Sequence, residues 1–201
     1  MPNYCNYWMK ACGNKKDCLN LLEIMQRHYD GTADDQPHLW RVFEAESTKE
    51  TDNSIEISGY CAWSVETCMF DGDGTYQSDD TTGKGTTIDK ISKELNLDIE
   101  IFSEESGMEF AEHYIIIDGR IIVAEETKFS EFCIEDYETP EEANEDLGLS
   151  GADRITAEEW EEGKEEGYIR RGGYSDTPFN IYTPISNDIF ANLQDIVFQE
   201  I

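Results

Sequence analysis

The stretch Ile55-Glu-Ile-Ser-Gly-Tyr-Cys-Ala-Trp-Ser-Val-Glu-Thr-Cys-Met-Phe70 alternates. Ile55, Ile57, Gly59, Cys61, Trp63 and Val65 form one set, and the mostly polar Glu56, Ser58, Tyr60, Ala62, Ser64 and Glu66 the other. A period of two places these sets on opposite faces of a β-strand. The reading is one long central strand with Trp63 in the core, leaving through Asp71-Gly-Asp-Gly-Thr75.

Upstream, His38–Ala45 reads as a strand paired with it across the polar run 46–54. Tyr4–Cys12 alternates in the same way. After Gly13-Asn14-Lys15-Lys16, Asp17 is placed to cap a helix through Tyr29, striped by Cys18, Leu21, Leu22 and Met25. Downstream, Thr86 or Thr87 opens a helix carrying Ile88, Ile91 and Leu95. A strand at Asp98–Ser103 and two more, Met108–Ile117 and Arg120–Lys128, follow, the last two joined by the hairpin dipeptide Asp118-Gly119. Beyond Ile134 the expectation is helical. Thr139-Pro140-Glu141-Glu142 starts one helix, Thr156–Glu166 forms a second anchored by Trp160, and Arg170–Gly173 is a loop. Ser186 caps a last helix striped by Ile189, Phe190, Leu193, Ile196 and Val197.

The order β-α-β-β-α-β plus a hairpin predicts an α+β chain. The expected arrangement is a ferredoxin-like antiparallel sheet with two helices at residues 1–133, and an acidic, mostly helical extension at 134–201 packed on it. Three stretches of residues 1–130 carry a resemblance: Met1-Pro-Asn-Tyr-Cys-Asn-Tyr7, Gly59-Tyr-Cys-Ala-Trp-Ser64, and Phe102-Ser-Glu-Glu-Ser-Gly107 with the aromatic strand after it. In these the chain resembles the YubB ferredoxin-like proteins, a family of uncharacterised function found on phages, plasmids and in bacterial genomes. Their middle strand often reads Trp-Gly-x-Lys-Trp-Asp. This chain has a single Trp there and no Lys. The resemblance implies the fold and a mobile-element setting, and no activity.

The charge is uneven. The 201 residues carry a formal −30, yet residues 1–43 hold five basic and five acidic side chains. From Glu125 to Glu166 there are 17 acids and three bases. Such a surface repels the phosphate backbone and anionic membranes and attracts basic proteins. Direct nucleic-acid and membrane binding are therefore not expected. Met1-Pro-Asn-Tyr4 has neither the charged nor the apolar region of a secretory leader, and the expected location is cytoplasmic. The six cysteines form no Cys-x-x-Cys pair and read as free, mostly buried thiols. His28 and His113 read as surface residues.

Asp71-x-Asp73-Gly-Thr75 is the one stretch that resembles a catalytic motif, the first of the haloacid-dehalogenase-type phosphotransferases. There the first Asp is the nucleophile and the second the acid/base beside Mg²⁺. Lys128 could serve that chemistry, but no Gly-Asp-x-x-x-Asp follows. As a calcium loop the stretch has Thr82 at the twelfth position instead of Glu. Asp71 and Asp73 are thus only weak candidate metal ligands. No catalytic residue and no cofactor is assigned.

The expected site is instead the acidic surface of Glu125, Glu126, Glu141, Glu142, Glu145, Asp146, Glu158, Glu159, Glu161, Glu162, Glu165 and Glu166. It implies a non-enzymatic binding protein of mobile-element type that imitates nucleic-acid charge. Its partner would be a basic, nucleic-acid-binding enzyme such as a CRISPR effector or restriction enzyme. The alternatives are a Mg-dependent phosphohydrolase using Asp71 and Asp73, or a structural module without activity.

Overall fold

Tyr4–Cys12 forms β1, and its alternation buries Cys5, Tyr7, Met9 and Ala11. The computed structural model describes residues 3–27, 36–70 and 84–173. The Asp71–Thr75 motif and the expected helix from Ser186 lie outside the described residues. Helix α1 (Lys15–Gln26) starts one turn-step earlier than expected, because Asn14 rather than Asp17 is its cap. Asn14 Oδ1 accepts the Asp17 N–H at 3.1 Å. β2 (Pro37–His38) is followed by β3 (Val42–Glu50) and β4 (Ser54–Ala62). Then come α2 (Val65–Met69), β5 (Lys84–Gly85), α3 (Ile88–Leu95), β6 (Asp98–Glu105), β7 (Phe110–Ile117) and β8 (Arg120–Cys133). The series closes with α4 (Pro140–Asp146), α5 (Ala157–Gly163) and β9 (Tyr168–Gly172).

The long strand expected at 55–70 is two elements. β4 ends at Ala62, and Trp63 turns the chain with a left-handed φ of 64°. Ser64 then caps α2, its hydroxyl accepting the Thr67 N–H. Val65, Cys68 and Met69 are buried at helical spacing. Trp63 is half-buried rather than central. Its ring lies 5.5 Å from Trp40, with the Arg41 guanidinium 4.8 Å away.

The strand order is β3-β4-β1-β6-β7-β8-β9, mostly antiparallel, with a separate parallel pair β2-β5. This corrects the ferredoxin-like expectation. Seven strands with few and short helices stand where a two-helix sandwich was expected. Among the described residues, 134–173 are also not a mostly helical extension. β8 runs on to Cys133 and pairs with β9 through Phe129↔Gly172 to Cys133↔Tyr168, and the Arg170–Gly173 stretch read as loop is mostly strand.

The described chain divides into two units, Met1–Thr127 and Lys128–Gly173. In the first, α1 and α3 cover one sheet face and close a core of Tyr7, Met9, Leu21, Met25, Ile55, Ile57, Ile88, Ile91, Ile99 and Ile101. Tyr7 crosses that core to donate its hydroxyl to the Glu44 carbonyl at 2.7 Å. It passes over Gly59, where any Cβ would overlap the Glu44 backbone oxygen and press on the Tyr7 hydroxyl. The β7–β8 hairpin turns at Asp118 and Gly119, with φ of 50° and 71°, the geometry expected of this dipeptide. Ser92 of α3 ties that turn down, donating to the Leu97 carbonyl at 2.7 Å and accepting the Gly119 N–H at 3.1 Å.

The second unit has its own small core of Ile134, Ala143, Ile155, Trp160 and Ile169. Asn144, itself buried, clamps α4 to the following segment by bonding both the N–H (2.7 Å) and the carbonyl (2.9 Å) of Ile155. Thr156 and Glu159 form a reciprocal cap at the start of α5.

Candidate functional site: an acidic surface and two buried carboxylates

Residues 128–173 hold 15 acidic and five basic side chains. The unit's own architecture uses three of those bases. Arg171 stands at the centre. Its Nε and one terminal nitrogen each lie 2.8 Å from Glu159, and its terminal nitrogens donate to the Asp153 and Arg154 carbonyls at 2.7 Å. These bonds hold the Glu159 carboxyl down to about pKa 2. Arg170 reaches Glu131 at 2.9 Å. Lys164 lies 3.9 Å from Glu161.

The expected site residues therefore separate by role. Glu159 is a structural residue, half-buried and committed to its cap and to Arg171. Glu142 accepts the Glu138 N–H at 3.0 Å, and Asp146 accepts the Tyr137 hydroxyl at 2.7 Å, a bond that raises the tyrosine's pKa. Glu166 bonds the Tyr168 hydroxyl and raises its pKa likewise. Glu161 has Lys164. Glu141 and Glu145 on α4, Glu158 and Glu162 on α5, and Glu165 just after it are exposed, and among the described residues none has a cationic partner. Glu125 and Glu126 lie on β8 in the first unit. Glu126 is exposed, while Glu125 turns one oxygen to 3.6 Å from His113 Nδ1.

An open cleft of about 460 Å³ lies inside the second unit. Its lining includes Tyr137, Trp160, Glu135, Glu138, Lys164 and Glu165. Gly167, at φ 80°, lets the Glu135 side chain lie across the backbone, since a Cβ there would come within 2.5 Å of Glu135 Cγ.

The first unit holds acids that were not singled out from sequence. Glu112 is 3% exposed and accepts five hydrogen bonds, one of them from a thiol. These come from the Val65 N–H (2.8 Å), the Glu66 N–H (3.0 Å), the Ser103 hydroxyl (2.6 Å), the Tyr114 hydroxyl (3.0 Å) and, more weakly, the Cys5 thiol (4.0 Å). Burial first, and then the Glu112 charge, drive the Tyr114 pKa well above its ordinary value. These donors tie β1, β6, β7 and the start of α2 to one carboxylate, so Glu112 is a brace. Glu100, fully buried, is hydrogen-bonded to His113 Nε2 at 3.0 Å, and Phe102 stacks on the imidazole at 4.2 Å. His113 is therefore buried, not a surface residue. The signal that could have found these two sites is the pair Glu112-His113 inside an otherwise apolar strand.

The cysteines are free thiols, five buried and Cys133 exposed. Cys5 and Cys61 face one another across β1 and β4, and hydrogen bonding to Cys5 and Cys68 raises the Cys61 pKa. Among the described residues no group of three His, Cys, Asp or Glu is placed to hold a metal ion. None of the described helices is long and apolar enough to cross a membrane.

No family model, no curated protein and no solved structure matches the chain.

Proposed function

We propose that the chain is a non-enzymatic binding protein whose acidic residues 128–173 engage the basic surface of a nucleic-acid-processing protein. The setting implied by the YubB resemblance, phages and plasmids, makes a host defence enzyme of the CRISPR-effector or restriction class the natural target. The observation that carries this reading is the division of labour among the acids. Glu159, Glu161 and Glu131 are neutralised by the unit's own bases, while Glu141, Glu145, Glu158, Glu162 and Glu165 stay exposed without cations among the described residues. Like charges this close repel one another and cost the folded unit stability. A basic partner offsets that cost and turns it into affinity, because docking releases the repulsion together with counter-ions.

The test compares the wild-type chain with a variant carrying Gln at 141, 145, 158, 162 and 165, both immobilised in low-salt cell lysate. The reading expects a nucleic-acid-binding protein retained by the wild type, eluted by moderate salt, and absent from the variant. Identical retention on both sinks it.

A further inference from the structure

The cleft between α5 and the segment after β8 has a chemistry of its own. The half-buried Tyr137, the edge of the buried Trp160 and three exposed carboxylates, Glu135, Glu138 and Glu165, line it. The same unit shows what that combination holds. The Arg170 guanidinium lies 4.9 Å from the Phe129 ring and 5.8 Å from that of Tyr168, with Glu131 at 2.9 Å. The Arg171 guanidinium lies 5.7 Å from the Phe132 ring, with Glu159 at 2.8 Å. Each arginine of β9 thus meets an aromatic ring and a glutamate. A planar guanidinium satisfies both at once, stacking on the ring and forking to the carboxylate.

The cleft offers these ingredients with no arginine in its lining. Its single base, Lys164, is drawn to Glu161, which is not part of the lining. Glu135, Glu138 and Glu165 have no cationic partner among the described residues. We infer that this cleft receives one arginine side chain projecting from the basic partner. The inference rests on the acidic-surface reading and sharpens it. The wider surface supplies attraction without geometry, whereas the cleft supplies one shaped contact.

The experiment titrates the full-length, isotope-labelled chain with N-acetyl-arginine methylamide and, separately, with the lysine analogue, and follows backbone amide shifts. Saturable shifts confined to Glu135, Glu138, Glu165 and Gly167 are expected, with arginine several-fold tighter than lysine. Replacing Glu135, Glu138 and Glu165 by Gln weakens arginine binding about tenfold, three exposed charge contacts' worth. A second variant with Gln at 46, 50 and 94, exposed acids of the first unit, loses the same charge away from the acidic surface and binds as the wild type does. The dispersed spectrum of each variant establishes that it is folded. Shifts spread over all acidic segments, equal losses in the two variants, or equal affinity for lysine would overturn the cleft as a site. If, in addition, the low-salt capture still depends on residues 141–165, the acidic-surface reading stands without the cleft. If that capture fails too, both fall.

Discussion

Replacing Glu112 by Gln tests whether this carboxylate is a brace. The side chain keeps its size and loses one acceptor oxygen and the charge. Whichever oxygen becomes the amide nitrogen then faces a backbone N–H, from Val65 or Glu66, and that donor loses its acceptor. The hydroxyl on the same side, Ser103 or Tyr114, can rotate and accept instead. One hydrogen bond to a charged group is lost, about 1.5–3 kcal/mol, and the others fall to neutral strength, about 0.5–1 kcal/mol each. Relief of burying the charge returns part of this, leaving a net destabilisation of about 3 kcal/mol. With a urea slope of about 2 kcal/mol/M, the midpoint falls by about 1.5 M. Ser103→Ala, which removes one donor, falls about half as far. Equilibrium urea unfolding followed by far-UV circular dichroism measures both. A Glu112→Gln midpoint within about 0.3 M of wild type would refute the account of this carboxylate as a brace.

Three further outcomes follow from the same geometry. Gly59→Ala forces β3 from β4 and breaks the Tyr7–Glu44 bond, so it should cost at least about 3 kcal/mol in the same unfolding assay. Asn144→Ala leaves both polar groups of Ile155 without their partner, and urea unfolding watched through Trp160 fluorescence should show the second unit weakened by about 2–3 kcal/mol. Because Glu159 has its pKa lowered to about 2 from 4.5, its contribution is complete above about pH 4.5 and is lost as pH falls towards 2. The difference in midpoint between wild type and Glu159→Gln should therefore be constant from neutral pH down to about 5 and shrink below it. A difference that grows on acidification would reverse the sign of the argument.

What could be read from the sequence were the local elements. β1, the β3–β4 pairing, α3 and the Asp118-Gly119 hairpin each follow from a period or a turn dipeptide within a dozen residues. The run 65–70 failed because a short apolar stretch fits both periods. Val65, Cys68 and Met69 are helical neighbours, and Ser64 with the Thr67 N–H is the cap that settles it. The fold failed where pairing is non-local. Nothing within Arg170-Arg171 announces a strand, since what makes it one is β8, whose Phe129 and Phe132 take the two guanidinium groups. The buried acids were missed for a related reason. Glu100, Phe102 and Glu104 alternate like an exposed strand face, and only the fold shows them covered. Within the acidic set, Glu159 was separable in advance, because Thr156-x-x-Glu159 is the spacing of a reciprocal cap.

The central claim is that the acidic surface takes the place of nucleic acid on a basic protein. Its most direct measurement uses the protein captured at low salt, purified and loaded with fluorescein-labelled duplex DNA, with anisotropy recorded as unlabelled wild-type chain is added. The account predicts full displacement of the duplex, weakening steeply with salt, and little or none by the variant with Gln at 141, 145, 158, 162 and 165. Binding of the chain alongside an undisturbed duplex, or equal displacement by wild type and variant, would contradict it.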